Sequence, residues 1–92
     1  MKIEWDEKKS YLNLIKHGID FIEAIELFHS PMLVHQDYRK NYGEDRFIGM
    51  GYIKNRLMVS VYTERQNGAI RIISLRKANK RENQFYEKAF KN

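Results

Sequence analysis

The chain has 92 residues, of which 42% are hydrophobic, 32% charged and 13% aromatic, with one proline and no cysteine. A chain this short supports a single small core and one domain over residues 1–92; it is too apolar for a disordered tail, and it has no apolar run long enough for a membrane span. Without cysteine it holds no disulfide, thiolate zinc site, iron–sulfur cluster or cysteine nucleophile. The formal net charge of +5 is unevenly placed. Residues 1–45 carry 6 Lys or Arg against 9 Asp or Glu, and residues 46–92 carry 11 against 3. Positive charge gathered in one half is the footprint of a protein that handles a polyanion, nucleic acid being the commonest. The opening MKIEWDEKKS offers no apolar run for a signal peptide, so the expected location is cytoplasmic.

In chain order, Met1 to Trp5 reads as a short strand. Asp6 is an N-cap, and a helix over residues 7–17 follows, with Tyr11, Leu12, Leu14 and Ile15 expected on its buried side and Gly18 ending it in a left-handed conformation. Asp20 and Glu23 form a capping box for a second helix that runs to about Phe28, burying Phe21, Ala24, Ile25 and Phe28 before Pro31 stops it. Met32 to Gln36 is a strand, and Asp37 to Asp45 a polar loop expected to be mobile. From Arg46 the period becomes two: Arg46 to Lys54, Leu57 to Glu64 and Ala69 to Lys77 are strands, the last two joined by a tight turn at Asn67-Gly68. A second capping box, Asn79 to Glu82, opens a final helix striped with Phe85, Tyr86, Ala89 and Phe90. The fold class is α+β, order β-α-α-β-β-β-β-α, a twisted and mainly antiparallel sheet with helices packed on one face.

A two-residue turn at Asn67-Gly68 sets Glu64 opposite Arg71, Tyr62 opposite Ile73 and Ser60 opposite Leu75 on one face, joined by Phe47, Gly49 and Gly51. The other face then collects Ile48, Met50, Tyr52, Leu57, Val59, Val61, Ile70 and Ile72, where the helices should pack. The mixed face is expected to stay open over Gly49, Gly51 and Ser60, ringed by Tyr62, Glu64, Arg71 and Lys77. The histidines His17, His29 and His35 give no compact metal spacing, and no phosphate-binding glycine loop is present, so neither metal nor cofactor is expected.

Three stretches, IEWDEKKSYLNLIKHGIDFIEAIELF, RFIGMGYIKNRLMVSVYTER and IRIISLRKANKRENQFYE, together resemble the BrnT-like toxins of bacterial type II toxin–antitoxin systems over roughly residues 3–87. The chain departs from that family at Tyr62, where His is frequent, and at Leu75, where Ala is. The resemblance implies a RelE- and ParE-like fold and a ribonuclease that cleaves mRNA and stops translation. It also implies a BrnA-like ribbon-helix-helix antitoxin as partner in a two-to-two complex, with operator DNA reached only through that antitoxin.

Metal-free RNA cleavage uses the 2′-OH as nucleophile and needs a base, a stabiliser of phosphorane charge and an acid for the leaving 5′-oxygen. Arg76 and Arg71 suit the charge, since guanidinium grips two phosphate oxygens and is never a base. Glu64 and Lys77 are candidate bases, and Tyr86 a candidate acid or stacking platform. Arg46, Tyr62, Arg65 and Arg71 are candidate RNA contacts. Structural roles compete: Glu64 and Arg71 as a plain cross-strand ion pair, Tyr86 as a core aromatic, Arg65 as a solvated charge. An inert nucleic-acid-binding module and a gyrase-type poison are the alternative functions. The antitoxin is expected to cover Tyr62, Arg71, Lys77 and the last helix, competing with RNA on or off the ribosome; the alternative is the helix pair of residues 7–28, where the acidic residues concentrate, which would leave the basic face open.

Overall fold

The computed structural model describes residues 2–90. Strand β1 (Ile3–Glu4) leads into helix α1 (Glu7–His17), a 3-10 turn (Phe21–Glu23) runs into the short helix α2 (Ala24–Leu27), and strands β2 (Leu33–Gln36), β3 (Phe47–Ile53), β4 (Arg56–Glu64) and β5 (Ile70–Lys77) precede helix α3 (Lys80–Phe90). The order is the one expected, and the fold is α+β. The sheet runs β1-β5-β4-β3-β2, with β1 parallel to β5 and every other pair antiparallel.

Helix α1 starts as its sequence dictates. The Asp6 carboxylate accepts from the N–H groups of Lys8 at 2.8 Å and Lys9 at 3.2 Å, bonds that hold it below its ordinary pKa. The helix ends on Gly18 at φ 76°, whose N–H donates to Leu14 O at 2.8 Å. Its buried side is not the expected one. Ser10 and Asn13 face inward, while Tyr11, Leu12, Leu14 and Ile15 are exposed. The cause lies in β5. Because β1 pairs only with Ile70 and Arg71, the outer edge of β5 beyond them lacks a neighbouring strand. Asn13 supplies a substitute, its amide nitrogen donating to Leu75 O at 2.7 Å and its amide oxygen accepting from Leu75 N at 3.2 Å. A buried backbone edge demands partners more strongly than a leucine demands cover.

The capping box expected at Asp20 and Glu23 does not form, the Asp20 side chain making no cap bond; Ser10 Oγ instead accepts from Phe21 N at 2.8 Å. Leu27 is fully buried where Ile25 was expected to be. At the other end of the chain the Asn79–Glu82 box is complete, Glu82 N donating to Asn79 Oδ1 at 2.8 Å and Asn79 N to Glu82 Oε1 at 2.9 Å.

The β4–β5 connection is a three-residue loop, Gln66-Asn67-Gly68, closed by Arg65 N to Ala69 O at 2.8 Å, with Gly68 at φ 82°. Glu64 therefore pairs with Ile70, Thr63 with Arg71 and Tyr62 with Ile72. A bulge at Ile73 absorbs the difference, so Ser60 still meets Leu75. The expected Glu64–Arg71 and Tyr62–Ile73 pairs are thus displaced by one residue, and Ile70 and Ile72 move to the face of Tyr62.

That face, here the inner face, is sealed rather than open. Tyr62, Met58, Ile53, Ile72 and Leu75 pack with Phe21, Ala24 and Leu27. The glycines there are points of close approach: a Cβ on Gly51 would lie 2.8 Å from Leu27 Cδ1, and one on Gly49 3.2 Å from Met32 Sδ. The missing side chains admit α2 and the Pro31-Met32 segment. The opposite, outer face carries Met50, Leu57 and Val59 under Tyr86 of α3. Helices α1 and α2 share one face as expected, and α3 crosses to the other.

Candidate nucleic-acid interface

The alternation that buries the inner residues fixes what the outer face presents. Leu75 points inward, so Arg76 and Ser74 point outward; Ile70 and Ile72 point inward, so Arg71 points outward. The same rule sends Arg46 out beside the inward Phe47, and His35 out in a row that crosses the sheet as His35, Ile48, Val61 and Ser74. Helix α3 covers the neighbouring row of Met50 and Val59 through Tyr86, and Ile48 packs against that cluster while staying partly exposed. The result is a floor of small and apolar side chains with arginines at both ends.

Each of these arginines is held by a carboxylate. The ion pairs among the described residues are Arg39–Asp37 at 2.8 Å, Arg46–Glu44 at 3.1 Å, Arg71–Glu4 at 3.0 Å and Arg76–Glu82 at 2.8 Å. Arg76 is gripped at both terminal nitrogens by Glu82, which its cap bond to Asn79 already fixes. Those bonds raise the Arg76 pKa and lower that of Glu82. Arg39 grips Asp37 through Nε and Nη2, both at 2.8 Å, and the Tyr42 hydroxyl donates to the same carboxylate at 2.9 Å. The Arg39 bonds hold the Asp37 carboxyl far below the usual range, as an obligate anion with its side chain out of solvent. Arg46 lies 4.2 Å over the Tyr42 ring. The loop expected to be mobile is thus tied together around Asp37. Arg39 also lies close enough to Arg76 for its charge to oppose that of Arg76.

Two cations brought near each other at a partly exposed surface, each oriented by a carboxylate but with N–H groups to spare, form a ready seat for a phosphate. On the same face, at the β2 edge of the sheet, His35 Nδ1 lies 3.3 Å from Gln36 O. Donation to that carbonyl leaves Nε2 as the proton-accepting nitrogen.

Of the sequence candidates, Arg76, Arg71 and Arg46 belong to this face. Tyr62 does not: it is 5% exposed, its ring edge-on to Phe28 at 4.9 Å and stacked on Phe47 at 5.7 Å, and burial pushes its phenol pKa up. Tyr86 is also core, its hydroxyl donating to Pro31 O at 2.9 Å. Lys77 pairs with inward Met58 and Glu64 with inward Ile70, so alternation turns both away from Arg76. Arg65 sits at the β4–β5 turn in a cleft also lined by Glu4, Glu44, Asp45 and Glu64, whose carboxylates repel phosphate. The surface expected for antitoxin, running across Tyr62, Arg71 and Lys77, therefore does not exist as one face. Asp37, Arg39, His35 and Glu82 are residues of this candidate site that sequence reading missed. Arg39 and Asp37 offered only a loop composition, and His35 needed the β2 register.

Among the described residues, no His, Asp and Glu side chains gather in a group of three or more fit to hold a metal, and no helix is long and apolar enough to cross a membrane.

The class that fold and surface define is a small basic α+β domain with ordered guanidinium groups on one sheet face, suited to a polyanion. Comparison with known families narrows it. The family model for the ribonuclease toxin BrnT of type II toxin–antitoxin systems matches residues 5–82, and the chain belongs to that family. The crystal structure of the Brucella abortus ribonuclease toxin BrnT is 29% identical, with a TM-score of 0.71, and the match covers 87% of this chain and 99% of that one. No curated protein matches.

Proposed function

We propose that the chain is an endoribonuclease that cleaves mRNA and thereby inhibits translation, and that a BrnA-like ribbon-helix-helix antitoxin neutralises it in a two-to-two complex in the cytoplasm. Family membership supports the class of activity, and one observation carries the site: Arg76, turned to the outer face, is held at both terminal nitrogens by Glu82, with Arg39 near enough for its charge to oppose that of Arg76. In this reading they hold the scissile phosphate and take up the charge of the phosphorane. Arg46 and Arg71 bind flanking phosphates, and Ile48 and Val61 give the apolar ground on which a base rests. His35, the histidine on this face, exchanges the proton of the 2′-OH or the leaving oxygen. Glu82 keeps Arg76 in place. In this reading the 2′-OH is the nucleophile and the reaction is metal-independent.

The test is purified protein incubated with a defined mRNA, alone and with translating ribosomes, with and without EDTA. Cleavage that survives EDTA and leaves 2′,3′-cyclic phosphate ends, lost on Arg76→Ala and on Arg39→Ala, is the expected result. Salt-sensitive RNA binding without a cut in either setting would sink the enzyme reading and leave an inert binding module.

A further inference from the structure

The loop between β2 and β3 is organised around Tyr42, which is half-buried while its neighbours Asn41 and Gly43 are exposed. The Tyr42 hydroxyl donates to Asp37 Oδ2 at 2.9 Å, the oxygen that also accepts from Arg39 Nη2. Arg46 Cζ lies 4.2 Å from the centre of the Tyr42 ring, and Lys40 Nζ 5.3 Å. One side chain thus touches the supports of two outer-face arginines, Arg39 and Arg46.

Charge alone would select a different arrangement. Asp37 N donates to Arg46 O at 2.7 Å, so these two residues face each other one step beyond the Gln36–Phe47 pair. An aspartate and an arginine directly opposite on two strands share a face and ordinarily pair with each other. Here they do not. Arg46 stacks on Tyr42 and bonds through Nε to Glu44 at 3.1 Å, while the Asp37 carboxylate takes Arg39 at Nε and Nη2 together with the Tyr42 hydroxyl. Asp45, the remaining carboxylate of the loop, accepts from Gln36 Nε2 at 3.1 Å. The ring therefore occupies Arg46 and the hydroxyl steadies Asp37, which leaves that carboxylate to Arg39. With its side chain 66% exposed, Arg39 has little packing to fix it, and its orientation depends on Asp37.

We propose that Tyr42 is a positioning residue of the nuclease site: its hydroxyl orients Arg39 through Asp37 toward the scissile phosphate, and its ring orients Arg46 toward a flanking one. The inference rests on the ribonuclease reading, which gives those two arginines their roles. The two parts of the side chain then act on different kinetic quantities. Arg39 meets charge that develops in the transition state, so the hydroxyl governs kcat; Arg46 meets a phosphate charged throughout, so the ring governs KM.

The experiment measures kcat and KM for a defined mRNA, in whichever setting cleavage occurs, alongside urea unfolding of each protein. Tyr42→Phe keeps the ring and should lower kcat about fivefold while KM stays within about twofold. Tyr42→Leu should lower kcat by the same factor and also raise KM about fivefold, the scale of a cation–π contact at a partly exposed site. The slow residual cleavage of Arg39→Ala should be no slower with Tyr42→Phe added, because the hydroxyl has then lost the group it orients. A merely structural tyrosine would give losses that multiply. Parental kcat in Tyr42→Phe where Arg39→Ala is slow overturns the proposal, as does a fall that multiplies with that of Arg39→Ala or that matches the loss of folded protein. Unchanged KM in Tyr42→Leu overturns the assignment of the ring to Arg46. Parental cleavage by Arg39→Ala, with Arg76→Ala slow, takes Arg39 and Tyr42 out of the site and leaves the ribonuclease reading standing. A parent protein that cuts no RNA in either setting overturns both.

Discussion

The two faces of the sheet meet solvent in opposite ways. On the inner face, Gly49, Gly51 and Ser60 leave room that Leu27, Met32 and Tyr62 fill, and the contact is dry and continuous. On the outer face, α3 covers one end through Tyr86, edge-on to Tyr52 at 5.4 Å and against Phe90 at 4.5 Å. The remainder is left to arginines held by carboxylates. Partly exposed ion pairs contribute little to stability, so beyond the Met50, Leu57, Val59 and Tyr86 cluster the outer face has little share in holding the fold; what the pairs supply is fixed orientation of charge before a ligand arrives. The difference separates what folds this chain from what equips it to act: side chains that face inward determine stability, and those that face outward can change chemistry at small structural cost.

The sharpest way to break this division is to damage each face separately. Leu27→Ala on the inner face removes a fully buried side chain and should lower unfolding free energy by about 2–5 kcal/mol, read from urea unfolding, while RNA cleavage per folded molecule stays near that of the parent. Arg76→Ala on the outer face should do the reverse. Loss of a guanidinium aimed at developing charge costs about 3–4 kcal/mol of barrier, a fall of roughly a hundredfold to a thousandfold in cleavage rate. Its unfolding free energy should move by about 1 kcal/mol or less. An Arg76→Ala protein that cleaves at the parental rate removes the residue from the site; one that fails to fold removes the division itself.

How much of this was legible beforehand depends on whether the signal was local. Asp6, Gly18 and the Asn79–Glu82 box act on neighbours a few residues away, and the helix ends fell where they indicated. Strand content and order were equally plain from the alternation after Arg46. The faces were not, because one extra loop residue at Gln66 and one bulged residue at Ile73 cancel at Ser60 and Leu75 yet reassign everything between. Gly49 and Gly51 were read as open ground when they mark close approach. Arg76 and Arg71 were legible as candidate phosphate ligands from residue type. The nearness of Arg39 to Arg76 was not, for it depends on Asp37 sitting opposite Arg46 at the end of β2, a pairing across the eight residues 38–45 that no local pattern announces.

Helix α1 allows a finer test, since it belongs to the inner face but docks by hydrogen bonds rather than apolar contact. Asn13→Ala leaves Leu75 N, Leu75 O and Ile19 O without their partners. Stranded buried groups should cost about 1–3 kcal/mol, less than Leu27→Ala, with the exchange of the Leu75 amide proton accelerated well beyond that of its neighbours. Uniform acceleration along β5 would show that Asn13 contributes only to global stability and that the strand edge has another protector.

The smallest expected effect comes from acid acting on the outer face. Glu82 is held below its ordinary value of 4.5, first by its bonds to the Arg76 guanidinium and then by the Asn79 N–H. A carboxyl whose pKa is lower in the folded state contributes stability that is complete above that ordinary value and is lost as pH falls from it through the depressed one. Because the Arg76 side chain is partly solvated, the contribution should be on the order of 1 kcal/mol or less. Arg76→Ala removes the larger cause of the shift. The difference in unfolding free energy between parent and variant should therefore be constant above about pH 5.5 and shrink as the solution is acidified through and below 4.5. Asp37, held lower still by Arg39, stays charged over that interval in both proteins and cancels from the comparison. A difference that stays constant down to pH 3 would mean that Glu82 is not held by Arg76 in solution, and that the guanidinium is free to turn toward a ligand without first leaving a carboxylate.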